Sequence, residues 1–357
     1  MARWRSIRYF ACLLVGALVA AHALGQETST QDGGAGLIIR STTALVQVRV
    51  VAEDGLGRKI TNLQKEEFEV RDDGKPQPIA IFVADRGGRT KSKDEAAIPV
   101  ADSGPGYAAI LLDWLNDRYG ERLKSQDSVL KLLTTFQPGQ KVALYVLPHD
   151  PPLVASFTAD MKILAQVVSE VPLDPDHLDS KYSVRYPPKL PCPVDPSLPP
   201  GEQERRTMKA LETTTKIADS LARMPGRKSL IWLSGGFDLE RRDGIYRQPF
   251  EKLVTRLNRG DVGAYTIDAC GLALPRSAYQ PSLIELAQRT GGTAFVERND
   301  LDEGVRQALE DQRVGYTLAY RLPDDAKPGA HEIALRTRRS GVRLRYRESY
   351  QLVEPVK

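Results

Sequence analysis

The sequence predicts an α/β protein in which a doubly wound, largely parallel sheet is inserted between the two halves of one β-sandwich. Three observations lead there. Period-two, strand-like stretches occupy both ends of the chain, an alternation of apolar strands and amphipathic helices fills its middle, and neither terminal strand set can bury a core alone. The 357 residues are 41% hydrophobic and 27% charged, the composition of a folded protein with a sizeable core. That excludes a largely disordered, collagen-like or polytopic membrane chain.

The chain opens with Arg3, Arg5 and Arg8, an apolar run from Tyr9 to Ala21, and small residues at Ala21-His22-Ala23 and Ala23-Leu24-Gly25. This order is that of a secretory signal peptide over residues 1–25. The run is about 13 residues long, whereas a stable membrane-crossing helix needs about 20; a retained N-terminal anchor is the alternative. Cleavage removes three arginines and no acids, so most of the formal +4 charge disappears. The charge balance therefore gives no case for nucleic acid as a partner. The mature chain is expected to be secreted or periplasmic.

Residues 36–85 form the first sandwich half. Val46, Val48 and Val50 alternate with Gln47, Arg49 and Val51 as in a strand with one buried face. Phe68–Val70 and Ile79–Phe82 read as a hairpin around Asp73-Gly74, with Pro76 and Pro78 placing it at a sheet edge. Residues 86–106, rich in Gly, Ser, Lys and Asp, read as a solvated linker.

The periodicity then changes over residues 107–313. Strands are expected at Tyr107–Leu112, Val142–Leu147, Leu153–Phe157 (antiparallel), Ser229–Leu233, Val262–Ile267 and Thr293–Val296. Helices are expected around Leu123–Phe136, Met161–Val171, Thr207–Met224, Phe250–Leu257, Leu283–Arg289 and Leu301–Gln312. Strands and helices alternating in this way imply helices on both faces of a parallel sheet, with ligands at the carboxyl ends of its strands. Residues 314–353 return to period two and supply the second sandwich half.

Several stretches resemble the von Willebrand factor A-related proteins typical of acidobacteria. They are Leu63-Gln-Lys-Glu-Glu-Phe-Glu-Val70 with Asp73-Gly-Lys-Pro76, Leu111-Leu-Asp-Trp-Leu-Asn116, Pro225-Gly-Arg-Lys-Ser-Leu-Ile-Trp-Leu-Ser-Gly-Gly-Phe237, Val262-Gly-Ala-Tyr-Thr-Ile-Asp268, Leu286-Ala-Gln-Arg-Thr-Gly-Gly-Thr293 and Gly315-Tyr316. They run in the family order along nearly the whole mature chain. The resemblance implies a Rossmann-like von Willebrand factor A-type domain that serves adhesion or protein assembly, and not catalysis.

Such domains often hold Mg²⁺ through Asp-x-Ser-x-Ser with a later Thr and Asp. Here Asp113 matches the first ligand, Leu115 has no ligating oxygen, and Asp117 stands for the second serine. Thr207 is a loose match for the threonine. Gly235 falls where the late aspartate belongs, and Asp238 lies nearby out of register. The ligand set is thus degenerate: no cofactor is expected, although Mg²⁺ or Ca²⁺ binding stays open. Asp113 and Asn116 equally suit capping of the following turn.

Other chemistry finds little support. His149, His177 and His331 are scattered, no phosphate-cradling glycine loop occurs, so no nucleotide is expected, and no G-x-S-x-G elbow supports a hydrolase triad. Ser234-Gly235-Gly236 reads as a tight turn rather than a nucleophile. Arg343, Arg345 and Arg347 share one face of a strand opposite Val342, Leu344 and Tyr346; that face reads as solvated, or as a docking strip for a polyanion. The Pro-rich insertion, residues 172–204, suits a partner-binding loop or a bare spacer. Cys192 within it and Cys270 after the Val262–Ile267 strand are expected near the same sheet edge and, in an oxidising compartment, bridged.

The reading that follows is an exported, non-catalytic binding or scaffold protein with a protein partner. Its binding loops would carry Asn116, Ser234, Gly235 and Gly236. The alternative is a metal-assisted hydrolase using Asp113 and Asp117.

Overall fold

The computed structural model describes residues 45–86, 106–135, 139–148, 152–173, 192, 198–199, 201–241, 243–272, 277, 279–311, 313–322 and 326–352. The expected signal peptide, nearly all of the expected linker, most of the Pro-rich insertion, and His149 and His177 lie outside the described residues.

The middle of the chain forms a six-stranded sheet flanked by helices, a mixed α/β arrangement compatible with a Rossmann-like fold. Its elements in chain order are β5 (Tyr107–Asp113), α1 (Tyr119–Thr135), β6 (Lys141–Leu147), β7 (Leu153–Thr158), α2 (Met161–Glu170), α3 (Glu202–Ala222), β8 (Lys228–Ser234), α4 (Arg247–Arg259), β9 (Val262–Asp268), α5 (Gln280–Arg289), β10 (Ala294–Phe295) and α6 (Leu301–Asp311). The strand order is β10-β9-β8-β5-β6-β7; β7 is antiparallel and every other pairing is parallel. After β5 the chain first adds β6 on one side and later β8 on the other. The order therefore reverses at β5, which creates a switch point at the carboxyl ends of β5 and β8.

Period-two alternation in β5 feeds two cores. Ala108, Ile110 and Leu112 pack with Val129, Leu132 and Leu133 of α1, Leu164 of α2 and Val305 of α6. Ala109 and Leu111 pack on the other face with Ala210 and Leu221 of α3, Phe250 of α4 and Leu286 of α5. A strand buried on both faces reads as a continuous apolar run, which is why Ala108–Leu112 contains no polar residue.

In the sequence Leu123, Leu130, Leu133 and Phe136 fall at helical spacing and predict the apolar face of α1, and that face is partly wrong. Leu123 is 49% exposed, while Arg122, Ser125 and Gln126 are buried. Gln126 Nε2 donates to the carbonyls of Val168 and Val171 at 2.7 and 3.0 Å, so the first half of α1 docks on α2 through polar contacts that hydropathy does not reveal.

The chain ends build two antiparallel sheets. One has the order β13 (Arg343–Arg345), β1 (Leu45–Glu53), β11 (Val314–Arg321), β4 (Ile79–Arg86); the other, β14 (Ser349–Leu352), β12 (Gly329–Thr337), β2 (Phe68–Asp72), β3 (Lys75–Gln77). Val46, Val48 and Val50 of β1, Phe68 and Val70 of β2, Tyr316, Leu318 and Tyr320 of β11, and Ile333 and Leu335 of β12 form one shared core.

Two expectations fail here. The Asp73-Gly74 turn joins β2 to β3, not to the Ile79 strand; φ is 47° at Asp73 and 77° at Gly74, the left-handed pair a two-residue hairpin turn requires. Ile79–Arg86 instead crosses to the other sheet and pairs with β11. The arginine face is also not a solvated or docking strip beyond Arg343. Arg345 is bonded to Glu53 and Asp311, and Arg347 to the carbonyls of Asn258 and Gln47, so both are turned into the molecule. Strand alternation located the face correctly but carried no information about what covers it.

Candidate functional site

The carboxyl end of β5 delivers Asp113, which is wholly buried. Its Oδ2 accepts from Asn116 Nδ2 at 2.9 Å and from Ser234 Oγ, at the end of neighbouring β8, at 2.8 Å. Three residues after Asp113 the chain has turned, with Asn116 N donating to the Asp113 carbonyl at 3.3 Å. That turn is the capping role open to Asp and Asn in the sequence. Asn116 is the hub: its Oδ1 accepts from Gln203 Nε2 at 3.1 Å and from Thr207 Oγ1 at 3.3 Å, both on α3.

Asp117 follows, also buried, and its Oδ1 accepts the Gly235 N–H at 2.7 Å. The Gly236 N–H returns to Ser234 Oγ at 3.0 Å. Gly236 has φ 76°, and a Cβ there would stand 2.7 Å from the Tyr279 carbonyl oxygen, so only glycine fits. The structure thus brings together Asp113, Asn116, Asp117, Thr207, Ser234, Gly235 and Gly236. Leu115 turns into the core instead. Asp238 stands apart, its charge bearing on the Tyr279 hydroxyl.

The electrostatics are those of crowded acids. Burial pushes the Asp113 carboxyl above the usual carboxylate range, against the hydrogen bonds from Asn116 and Ser234. Asp117 is driven well above it, by burial first and then by the charges of Asp113 and Glu121. Asp113 Oδ1 and Asp117 Oδ2 are buried without any hydrogen-bond partner. Buried carboxylate oxygens are normally satisfied, so two orphans in one group call for a completing donor or cation. The set is all oxygen, two carboxylates beside a Ser, a Thr and an Asn, which fits a hard divalent ion.

Sequence reasoning missed Asp268, Glu121 and Gln280. Asp268 ends β9; its Oδ2 accepts from Gln280 Nε2 at 2.8 Å and its Oδ1 from the Cys270 N–H at 2.9 Å, while burial raises its carboxyl. An aspartate closing an apolar strand, as at Asp113, was the available signal. Glu121 is paired with Arg118 at 3.0 Å on both oxygens; nothing in its sequence context marks it. The sulfurs of Cys192 and Cys270 lie 2.02 Å apart, a disulfide distance, with Cα atoms 5.8 Å apart. Cys192 is thereby bonded to a residue two positions after Asp268.

No protein-family model matches the chain, and no curated protein matches it. Among solved structures it is similar to the conserved hypothetical protein BatB from Bacteroides thetaiotaomicron, at 12% identity and TM-score 0.37, over 58% of this chain and 98% of that one. It is also similar to the N-terminal domain of TFIIH p34, at 15% identity and TM-score 0.32, with the same coverage of each.

Proposed function

We propose that the chain is an exported, non-catalytic binding or scaffold protein. In this reading a von Willebrand factor A-like domain, residues 107–313, is inserted in a β-sandwich built from residues 36–85 and 314–353. A protein partner docks at the loops that follow β5 and β8, beside the Pro-rich insertion anchored through Cys192. The observation that carries the reading is the pair of orphaned buried oxygens, Asp113 Oδ1 and Asp117 Oδ2, at the sheet's switch point. An incomplete polar group at that place is one a ligand completes. Where a divalent cation enters, Asp113 and Asp117 would hold it, with Ser234 and Thr207 supplying hydroxyl oxygens; it would supply a positive centre for an acidic group of the partner.

The hydrolase alternative draws on the same two carboxylates, but among the described residues no histidine stands beside them. Ser234 Oγ is spent on Asp113 and on the Gly236 N–H, and the one described histidine, His331, lies on β12. Affinity capture from envelope and culture-medium fractions, with wild-type chain and Asp113→Ala as paired baits, tests the reading. A partner retained by the first and lost by the second is expected. Turnover of ester, peptide or phosphoester substrates abolished in Asp113→Ala would overturn it.

A further inference from the structure

A second group of side chains able to ligate gathers in the β14-β12-β2-β3 sheet, around the turn between β2 and β3. Asp72 closes β2, Asp73 begins the turn, and His331 faces them from β12, which pairs with β2. The left-handed conformation of Asp73 lets its Oδ1 accept the Glu332 N–H at 2.9 Å, and its Oδ2 then lies 2.9 Å from His331 Nδ1. Asp72 is 5% exposed; its Oδ2 accepts the hydroxyls of Tyr320 and Tyr350 at 2.9 and 2.7 Å. Its Oδ1, 3.6 Å from His331 Nδ1, has no hydrogen-bond partner.

The opposite edge of the imidazole decides what this means. His331 Nε2 lies 2.7 Å from the Lys327 carbonyl oxygen, and a carbonyl can only accept, so Nε2 carries the hydrogen. The neutral ring then presents a bare lone pair at Nδ1 to two carboxylate oxygens. Three acceptors converge, all within 4.8 Å of one another, and one of them belongs to a buried side chain with an orphaned atom. A proton on Nδ1 would serve Asp73 Oδ2 at 2.9 Å but not Asp72 Oδ1 at 3.6 Å, whereas a cation between them serves all three.

We propose that Asp72, Asp73 and His331 form a binding site for a divalent transition ion of the zinc type. Ligands about 2.0–2.1 Å from a tetrahedral zinc stand about 3.3 Å from each other. The 2.9 and 3.6 Å separations at His331 Nδ1 bracket that value. An imidazole that binds metal through one nitrogen gives its other N–H to a carbonyl or carboxylate, as His331 does to Lys327. The two tyrosine hydroxyls fix the Asp72 carboxylate, and the Tyr350 ring, stacked on the imidazole at 4.9 Å and 12°, fixes its plane. Asp73 is 52% exposed, so the fourth position opens to water. A nitrogen ligand beside two carboxylates selects zinc over magnesium or calcium, which take oxygen alone.

The test is calorimetric titration of the full-length chain with Zn²⁺ in excess Mg²⁺, added to compete for the oxygen ligands at the sheet edge. One Zn²⁺ per chain is expected, together with visible absorption bands when Co²⁺ replaces it. Asp73→Asn, which keeps the acceptor for the Glu332 N–H, and His331→Gln should each weaken zinc binding on the order of 10-fold or more. Circular dichroism of the metal-free variants guards against misfolding, and Asp73→Asn, on a half-exposed side chain, is the variant that decides if His331→Gln does not fold. No saturable zinc binding, or binding indifferent to Asp73→Asn, would overturn the proposal and leave a protonated His331 paired with Asp73.

Discussion

Arg345 of β13 and Asp311 at the end of α6 meet as a buried ion pair, Nη2 to Oδ2 at 2.6 Å, with side chains 10% and 1% exposed. The same guanidinium takes both carboxylate oxygens of Glu53 on β1 and the Thr293 hydroxyl, and Lys59 also reaches Asp311. Removing Arg345 leaves two carboxylates, Glu53 and Asp311, 14% and 1% exposed, facing the single ammonium of Lys59. Arg345→Met is expected to lose about 3–5 kcal/mol in denaturant unfolding. Arg345→Lys should recover only part, because one ammonium cannot make the forked contact. A loss in Arg345→Met below about 1 kcal/mol, the range of exposed pairs, would show that the pair does not secure this junction.

Asp117→Asn should stabilise the metal-free protein at pH 7. An acid whose folded value is raised binds its proton more tightly folded than unfolded, so its ionised form weakens the fold at high pH. That penalty disappears as pH falls through the folded value, and is gone below the ordinary carboxylate value near 3.9. The variant's gain, about 2–4 °C for each kcal/mol in a domain of ~200 residues, should therefore shrink on acidification. Melting curves from pH 7 to pH 4 in chelator check it; a gain that does not change with pH would refute the assignment.

The Cys192–Cys270 bridge closes a loop with a sequence separation of 78 residues. By chain entropy alone it contributes on the order of 4 kcal/mol. Thiol labelling of the unfolded, unreduced chain produced without residues 1–25 should find no reactive thiol, and Cys270→Ser should lower the denaturant midpoint accordingly. Two labelled thiols would remove the bridge from the account.

Gly292 and Gly120 should respond to alanine in opposite directions. At Gly292 a Cβ would fall 1.8 Å from the Ala264 carbonyl oxygen, in backbone that cannot yield, so Gly292→Ala is expected to be recovered unfolded. At Gly120, in the first turn of α1, nothing lies within 4 Å, and Gly120→Ala should gain up to about 1 kcal/mol. Urea unfolding of both variants measures the contrast.

What could be read in the sequence was what repeats locally. The apolar runs Ala108–Leu112 and Leu230–Leu233 and the valines of β1 each announced their element, because burial on two faces or one imposes its own period. Asp113, Asp117, Ser234 and Thr207 could be named because they end a strand or fall within a motif. Pairing over long distances could not: the departure of Ile79–Arg86 from its hairpin depends on β11, far along the chain. The cluster of Asp72 with His331 is hidden for the same reason, since its members come together only through the register of β2 against β12.

The placement of β11 between β1 and β4 bears on the order of events when the chain is made. Leu45 pairs with Arg321, and Tyr316 lies opposite both Val50 and Ala84. The earliest strands to leave the ribosome thus wait for one of the latest. All the strands of the six-stranded sheet emerge before β11, so that sheet can assemble while Val46, Val48 and Val50 still lack their β11 partners. Closure over so long a loop adds little to the equilibrium penalty but slows the search. The rate at which β11 finds both neighbours, more than the stability of the finished sheets, then sets how long an aggregation-prone edge stays open.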